Sequence, residues 1–377
     1  MSERFLSKAR FRTFVRMPMK TALKAVHRLG GPALVALLAP NAASAQVQLD
    51  SRSVEITLTG LVHMQYRTTS VNGPRSSEFL LRRALFTANA KVSDLIEGRI
   101  QPDFSEGKLS LKDAYLRLNF DPAFRLSFGQ LKRPFDIFEL YSSAQILTIE
   151  GTGKIDGVDA CAGPGGVCSW SRLTKKLEYS ARDIGILVDG RATDKLEYQF
   201  SITNGTGADK RDENGTKSYT ARVVAQAASN VRLGANVGVH DYLGSTTANE
   251  YAVAYGGDME IGRYGEEFHL QAGFLAGQNW LNLDATGDPS TFLTAQGVVS
   301  YRLPITGSSH FTAVEPLARL SWADPDTDAA NAGGWLFTPG IALHMAGWNM
   351  LVANVDVWSP EAGDSEWSFK FQIFLHF

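Results

Sequence analysis

From residue 54 onward the chain alternates apolar and polar positions with a period of two. In 54–65, Val54, Ile56, Leu58, Gly60, Val62 and Met64 share one face, and Glu55, Thr57, Thr59, His63 and Gln65 share the other. This is the repeat of a strand with one apolar and one polar side. It recurs in 196–203, where Leu196, Tyr198, Phe200 and Ile202 alternate with Glu197, Gln199, Ser201 and Thr203. It recurs again in 231–239 and at the end of the chain. There Trp367, Phe369, Phe371, Ile373, Leu375 and Phe377 oppose Ser368, Lys370, Gln372 and His376. The pattern predicts strands over 54–65, 79–91, 97–104, 109–120, 124–135, 183–191, 196–205, 218–226, 231–242, 249–262, 266–279, 291–303, 313–323, 334–345, 349–358 and 366–377. No helical periodicity stands out after residue 50.

The connections separate into two kinds. Short turns such as Asp121-Pro122-Ala123 and Ala192-Thr193-Asp194 alternate with longer Gly/Asp/Thr-rich loops such as 206–217 and 324–333. Short turns at one end and long loops at the other are what a transmembrane barrel requires. A water-facing sheet could not expose the aromatic row of 366–377 without aggregating. The fold class is therefore all-β: a transmembrane antiparallel β-barrel of about 16 strands. A soluble sandwich or a secreted β-helix would explain neither the last strand nor the asymmetry of the turns. One connection, 136–182, is far longer than ordinary loops, and such loops are mostly functional or disordered. It is expected to fold inward and constrict the lumen.

The beginning of the chain follows different rules. Arg4, Lys8, Arg10, Arg12, Arg16, Lys20, Lys24 and Arg28 stand against the single acid Glu3. An apolar run, Ala33-Leu34-Val35-Ala36-Leu37-Leu38-Ala39, precedes Ala43-Ser44-Ala45. The run is too short to cross a bilayer, which takes ~20 residues of helix. Residues 1–45 thus read as a signal peptide and 46–377 as the barrel, with Met17 and Met19 as alternative starts. Removing 1–45 takes away eight basic residues and one acid, moving the formal charge from −2 to −9. An acidic exported chain argues against a nucleic-acid partner. Cys161 and Cys168, in CAGPGGVC, are the only cysteines. In an oxidising compartment a disulfide is the expected state. A zinc site is the alternative, but no histidine lies nearby. No metal or cofactor is expected.

By parity the lumen receives both signs of charge, among them Arg83, Arg117, Arg125, Arg133, Arg222, Arg232, Arg319 and Lys370 with Asp113, Asp183, Asp189, Asp258, Glu260 and Asp356. Selectivity then depends on where the narrowest ring falls. In 136–182, Ser142 and Ser143 offer hydroxyls that donate to an anion without adding charge. Strict alternation puts Arg82 and Lys132 on the lipid side, unless a bulge or a rim position turns them inward.

Several motifs stand in a characteristic order: Arg82-Arg83-Ala84, Lys112-Asp113-Ala114-Tyr115, Gly129-Gln130-Leu131-Lys132-Arg133-Pro134-Phe135 and Glu139-Leu140-Tyr141-Ser142-Ser143. In these the chain resembles the phosphate-selective porin O/P family of Gram-negative outer membranes, from about Val54 to Phe377. The resemblance implies a passive channel for small hydrophilic solutes that prefers anions such as phosphate. It also implies a homotrimer and an inward loop beside a basic anion site. Carried over by motif, that site comprises Arg82, Arg83 and Lys132, with Asp113 as the acid. Parity adds Arg125 and Arg133. The terminal Phe377 resembles the signal read by the outer-membrane assembly machinery. The alternatives are a weakly selective general diffusion porin and, in a different class, a barrel enzyme. An enzyme would need a Ser and a His converging at the lipid surface, and no Gly-x-Ser-x-Gly signature accompanies any histidine.

Overall fold

The computed structural model describes residues 47–51, 54–71, 76–163, 166–212, 214–242 and 250–377; the expected signal peptide lies outside them. Sixteen strands make the wall. The first eight are β1 Val54–Thr69, β2 Ser77–Lys91, β3 Ile96–Asp103, β4 Ser110–Asp121, β5 Phe124–Lys132, β6 Arg182–Thr193, β7 Leu196–Thr203 and β8 Ser218–Ala228. The others are β9 Val231–Asp241, β10 Tyr251–Ile261, β11 Phe268–Leu283, β12 Pro289–Tyr301, β13 Phe311–Asp324, β14 Gly334–Met345, β15 Met350–Pro360 and β16 Glu366–His376. Each pairs antiparallel with its neighbours in sequence. β16 closes the ring on β1, from Ser368↔Thr69 to His376↔Leu61. Closure leaves no unpaired edge, the condition for a sheet to sit in hydrocarbon.

The sides follow the alternation. Phe200, Leu233, Val237, Trp367, Ile373 and Leu375 are exposed on the outer face. Ser201, Asn236, Ser368 and Gln372, their neighbours in sequence, are buried inside, as are His240 and Lys370. Where the ring closes, the main chains of Gly60 and Phe377 exchange hydrogen bonds of 2.7 and 3.1 Å. The ring of Phe377 lies over Gly60, where a Cβ would stand 2.3 Å from it. Beyond that point a short strand, Val47–Ser51, takes over the same edge of β1, from Val47↔Leu58 to Ser51↔Val54.

Between β5 and β6, residues 133–181 fold against the interior of the barrel. They carry two short helices that alternation did not predict, α1 Ile137–Leu140 and α2 Trp170–Lys176. Asp136 ties them together: its carboxylate caps α1 by accepting from the Phe138 amide at 2.9 Å and accepts from Thr174 Oγ1 of α2 at 3.0 Å. Cys161 and Cys168 are disulfide-bonded, with Cα atoms 5.0 Å apart. Phe135, Ile149, Ile155, Trp170, Leu173 and Leu177 form a buried core with inward-facing Leu275, Phe292, Leu336, Val352 and Phe374. Burying each such side chain contributes about 1.5–3 kcal/mol, enough to hold the loop on the β11–β16 wall.

Buried charges fix its position more finely. Asp356 on β15 binds Arg319 of β13 at 2.7 Å and Lys370 of β16. Arg319 then donates to the carbonyls of Glu150 and Gly151 at 2.8 and 3.0 Å, and Lys370 to that of Lys154 at 2.7 Å. Arg67 of β1 pairs with Asp156 at 2.7 Å. Residues 150–156 are thus a strap held to the wall by three main-chain acceptors and by side-chain carboxylates such as Asp156.

Candidate functional site

Because the loop packs on the β11–β16 side, the larger open spaces among the described residues lie against β2–β10, as two compartments. The wide one, of about 770 Å³, is bounded by β5–β10 and the start of the loop; the narrow one, of about 160 Å³, lies between β2–β6 and the loop. Tyr141 lines both, with Ser142 on the wide side and Ser143 on the narrow side. Six basic side chains line the narrow compartment, Arg82, Arg83, Lys112, Lys132, Lys175 and Arg182, against three acids, Asp103, Glu139 and Glu150.

The two residues that strict alternation placed outside are inside, for local reasons. Across β1 and β2 the register runs His63↔Arg83 and then Met64↔Leu81, leaving Arg82 as the extra residue of a bulge. Arg82 and its neighbour Arg83 therefore both reach the interior. Lys132 depends on a second irregularity. Arg125 and Asp189 face each other inside the barrel across β5 and β6; seven residues away on each strand, Lys132 and Arg182 again line the interior. Between the two pairs stand Gly129 and Gly185. Gly129 has φ 132°, and a Cβ there would lie 2.1 Å from the Ala114 carbonyl oxygen. Only glycine tolerates that backbone, and it is where the strand changes face.

The cations differ in how far they are neutralised. Arg82 grips Glu150 with Nε at 2.7 Å and Nη2 at 3.0 Å. Arg182 binds Asp113 at 2.6 Å, and Arg99 binds the other oxygen at 3.1 Å. Lys112 lies 3.4 Å from Asp103, and Lys175 3.6 Å from Glu139. Arg83 and Lys132 have no ion pair within 4.0 Å among the described residues. Arg83 Nη1 sits 3.3 Å from His63 Nδ1, and the Lys132 ammonium donates to the carbonyls of Glu139 and Tyr141. Both loop acids remain ionised despite their burial. Burial pushes Glu150 up, but the charge and hydrogen bonds of Arg82, with Arg83 and Lys370, reverse this and hold it far below the usual carboxylate range. At Glu139 burial is likewise outweighed, by Lys175, Lys132 and Arg182.

Other candidates stand apart from the narrow compartment. Arg125 pairs with Asp189 and faces the wide one. Arg133, expected at the passage, lies beyond the end of β5 and is almost wholly buried. It binds Asp183 at 2.8 Å and the Glu178 carbonyl, and lines neither compartment. Lys112, Lys175 and Arg182 were not singled out from sequence. Their only signal is sequence position, in a motif or at the end of the long loop.

A closed antiparallel barrel, apolar outside, with a loop folded against a polar lumen, has the architecture of an outer-membrane porin. The family model for phosphate-selective porin O and P matches residues 56–264, and the chain belongs to that family. No curated protein matches it. Among solved structures, an anion-selective porin from Comamonas acidovorans aligns at 11% identity and TM-score 0.60, over 86% of this chain and 100% of that one. OmpT of Vibrio cholerae, expressed in the outer membrane, aligns at 12% and 0.57, over 88% and 100%. Salmonella typhi OmpF, in complex with daunomycin, aligns at 9% and 0.56, over 88% and 100%. At these identities the likeness is one of fold.

Proposed function

We propose that this porin conducts small hydrophilic solutes with a moderate preference for anions, phosphate among them. The observation that carries the reading is the narrow compartment, with six basic groups against three acids and, among the described residues, no carboxylate partner within 4.0 Å for Arg83 or Lys132. An anion that sheds part of its water there gains charge-assisted hydrogen bonds, and the fork of Arg83 can hold two oxygens at once. Lys132 supplies charge and also fixes the end of α1 through the two carbonyls it binds. In this reading residues 1–45 are a cleaved signal peptide. The barrel works as a homotrimer, delivered by the outer-membrane assembly machinery.

The test is a planar-bilayer recording of reversal potential in a salt gradient, with phosphate added as a blocker. Wild-type channels should prefer anions and show salt-sensitive phosphate block. Arg83→Ala with Lys132→Ala leaves four cations against three acids, so most of the preference and the block should disappear. Arg83→Gln alone separates the filter from the anchoring of α1. Cation-preferring wild-type channels, or unchanged selectivity in the double variant, would leave a general diffusion porin. That second reading has some support in the wide compartment, where five basic residues face four acids.

A further inference from the structure

The two compartments differ in kind as well as in width. In the narrow one, positive charge is in excess. In the wide one, four of the five lining arginines have a carboxylate within 4.0 Å among the described residues. Arg222 binds Asp258 through both terminal nitrogens and reaches Asn236 Oδ1. Arg232 lies 3.4 Å from both Glu260 and Glu197, and Arg125 pairs with Asp189. A neutralised arginine has little pull on a second anion. What it and its carboxylate still offer, side by side, is a hydrogen-bond donor next to an acceptor. Neighbouring hydroxyls on a carbon chain present the same pair in complement, since each both donates and accepts. Rings of Tyr141, Tyr198 and Tyr264 border the same space and supply flat apolar faces for the C–H side of such a chain. At about 770 Å³ the compartment has the volume of an ordinary small-molecule site. Tyr141 lines both this compartment and the basic one.

Resting on the anion preference proposed above, we propose that this pore selects phosphate monoesters of polyhydroxylated molecules, such as sugar and polyol phosphates, over the bare phosphate ion. The phosphate head sits in the narrow compartment at Arg83 while the hydroxylated tail lies among the Arg–carboxylate pairs of the wide one. Inorganic phosphate engages only the first of these.

Single-channel recordings at about pH 8, where phosphate groups carry close to two charges, compare block by inorganic phosphate and by glucose 6-phosphate. We expect glucose 6-phosphate to block at a roughly 30-fold lower concentration, the equivalent of about 2 kcal/mol from two or so extra hydrogen bonds. The double variant Arg222→Gln, Asp258→Asn removes one pair without changing net charge. It should reduce that advantage to about 3-fold or less and leave block by inorganic phosphate as it was. Equal block by the two compounds in the wild type overturns the proposal, as does a double variant that keeps the full advantage. The wild-type comparison stands even if the variant does not fold. Failure of the underlying reading looks different: a cation-preferring channel that neither compound blocks.

Discussion

Glu150→Gln is the substitution that best separates the strap from the barrel that holds it. It keeps the shape of the side chain and removes its charge. In the wild type the carboxylate, 2% exposed, accepts two hydrogen bonds from Arg82. Removing one partner of a buried ion pair costs about 3–5 kcal/mol, because the remaining charge stays desolvated. Here Arg82 keeps 25% of its side chain exposed and has Glu106 at 4.0 Å, so about 2–3 kcal/mol is the better figure. At 1.4 kcal/mol per decade, the balance between docked and undocked strap shifts by roughly 30–150-fold. The other attachments, from Arg319 and Lys370 to main-chain carbonyls and from Arg67 to Asp156, survive. The barrel should therefore stay intact while single-channel current becomes noisy. Anion preference should rise, since the narrow compartment keeps six cations against two acids. Quiet recordings with an unchanged reversal potential would refute the argument. The wild type should reach the same noisy state in acid. The docked Glu150 has its pKa depressed from 4.5, so the docking energy is complete above that value and is lost only as pH falls through the lower, docked pKa. Noise should set in well below pH 4.5; onset near neutrality would count against Glu150 as the latch.

Three further outcomes are expected. Lys370→Met leaves Asp356 short of a cation in a fully buried site and should lower stability by about 3–5 kcal/mol. Since Asp356 keeps Arg319 at 2.7 Å, the lower end of that range applies, read as a drop in the temperature at which the heat-modifiable barrel unfolds, with little change in reversal potential; the opposite result would place Lys370 at the passage. Deleting Phe377 should sharply reduce the yield of folded barrel, and Gly60→Val, which fills the space under its ring, should do so to a lesser degree. Normal yields in both would show that the terminal residue is dispensable for closure. Intact-mass analysis of the outer-membrane fraction should give a chain beginning at Gln46, and a chain that retains residues 1–45 would contradict the export reading.

The barrel was legible because the property that makes it, one face to lipid and one to water, is written at every second residue. The aromatic row ending in Phe377 and the run from Leu196 to Ile202 needed no tertiary information. Arg82 and Lys132 were harder, since parity misplaces both. A bulge depends on the partner strand's register, here His63↔Arg83, and the change of face beside Gly129 depends on a glycine opposite it. The helices α1 and α2 were hidden by their shortness, and the Asp136 side chain that joins them reaches across 38 residues. Arg133 was misjudged because parity cannot say where a strand stops. Its partner Asp183 is 50 residues away, and only the folded chain shows that the two neutralise each other beside the lumen, not within it.

The apolar core on the β11–β16 wall has an electrical consequence. A sixteen-strand ring ordinarily encloses an aqueous channel, and a conductance scaled from strand number would assume the whole bore carries current. Here a large sector of the bore is occupied by Trp170, Phe292, Leu336 and their neighbours, so ions are confined to a crescent along β2–β10. The narrower a conducting path, the larger its share of the applied voltage, so the narrow compartment should take most of it. Permeant ions therefore meet a steep local field beside Arg83, and the current reports on a few side chains instead of the average of the lumen.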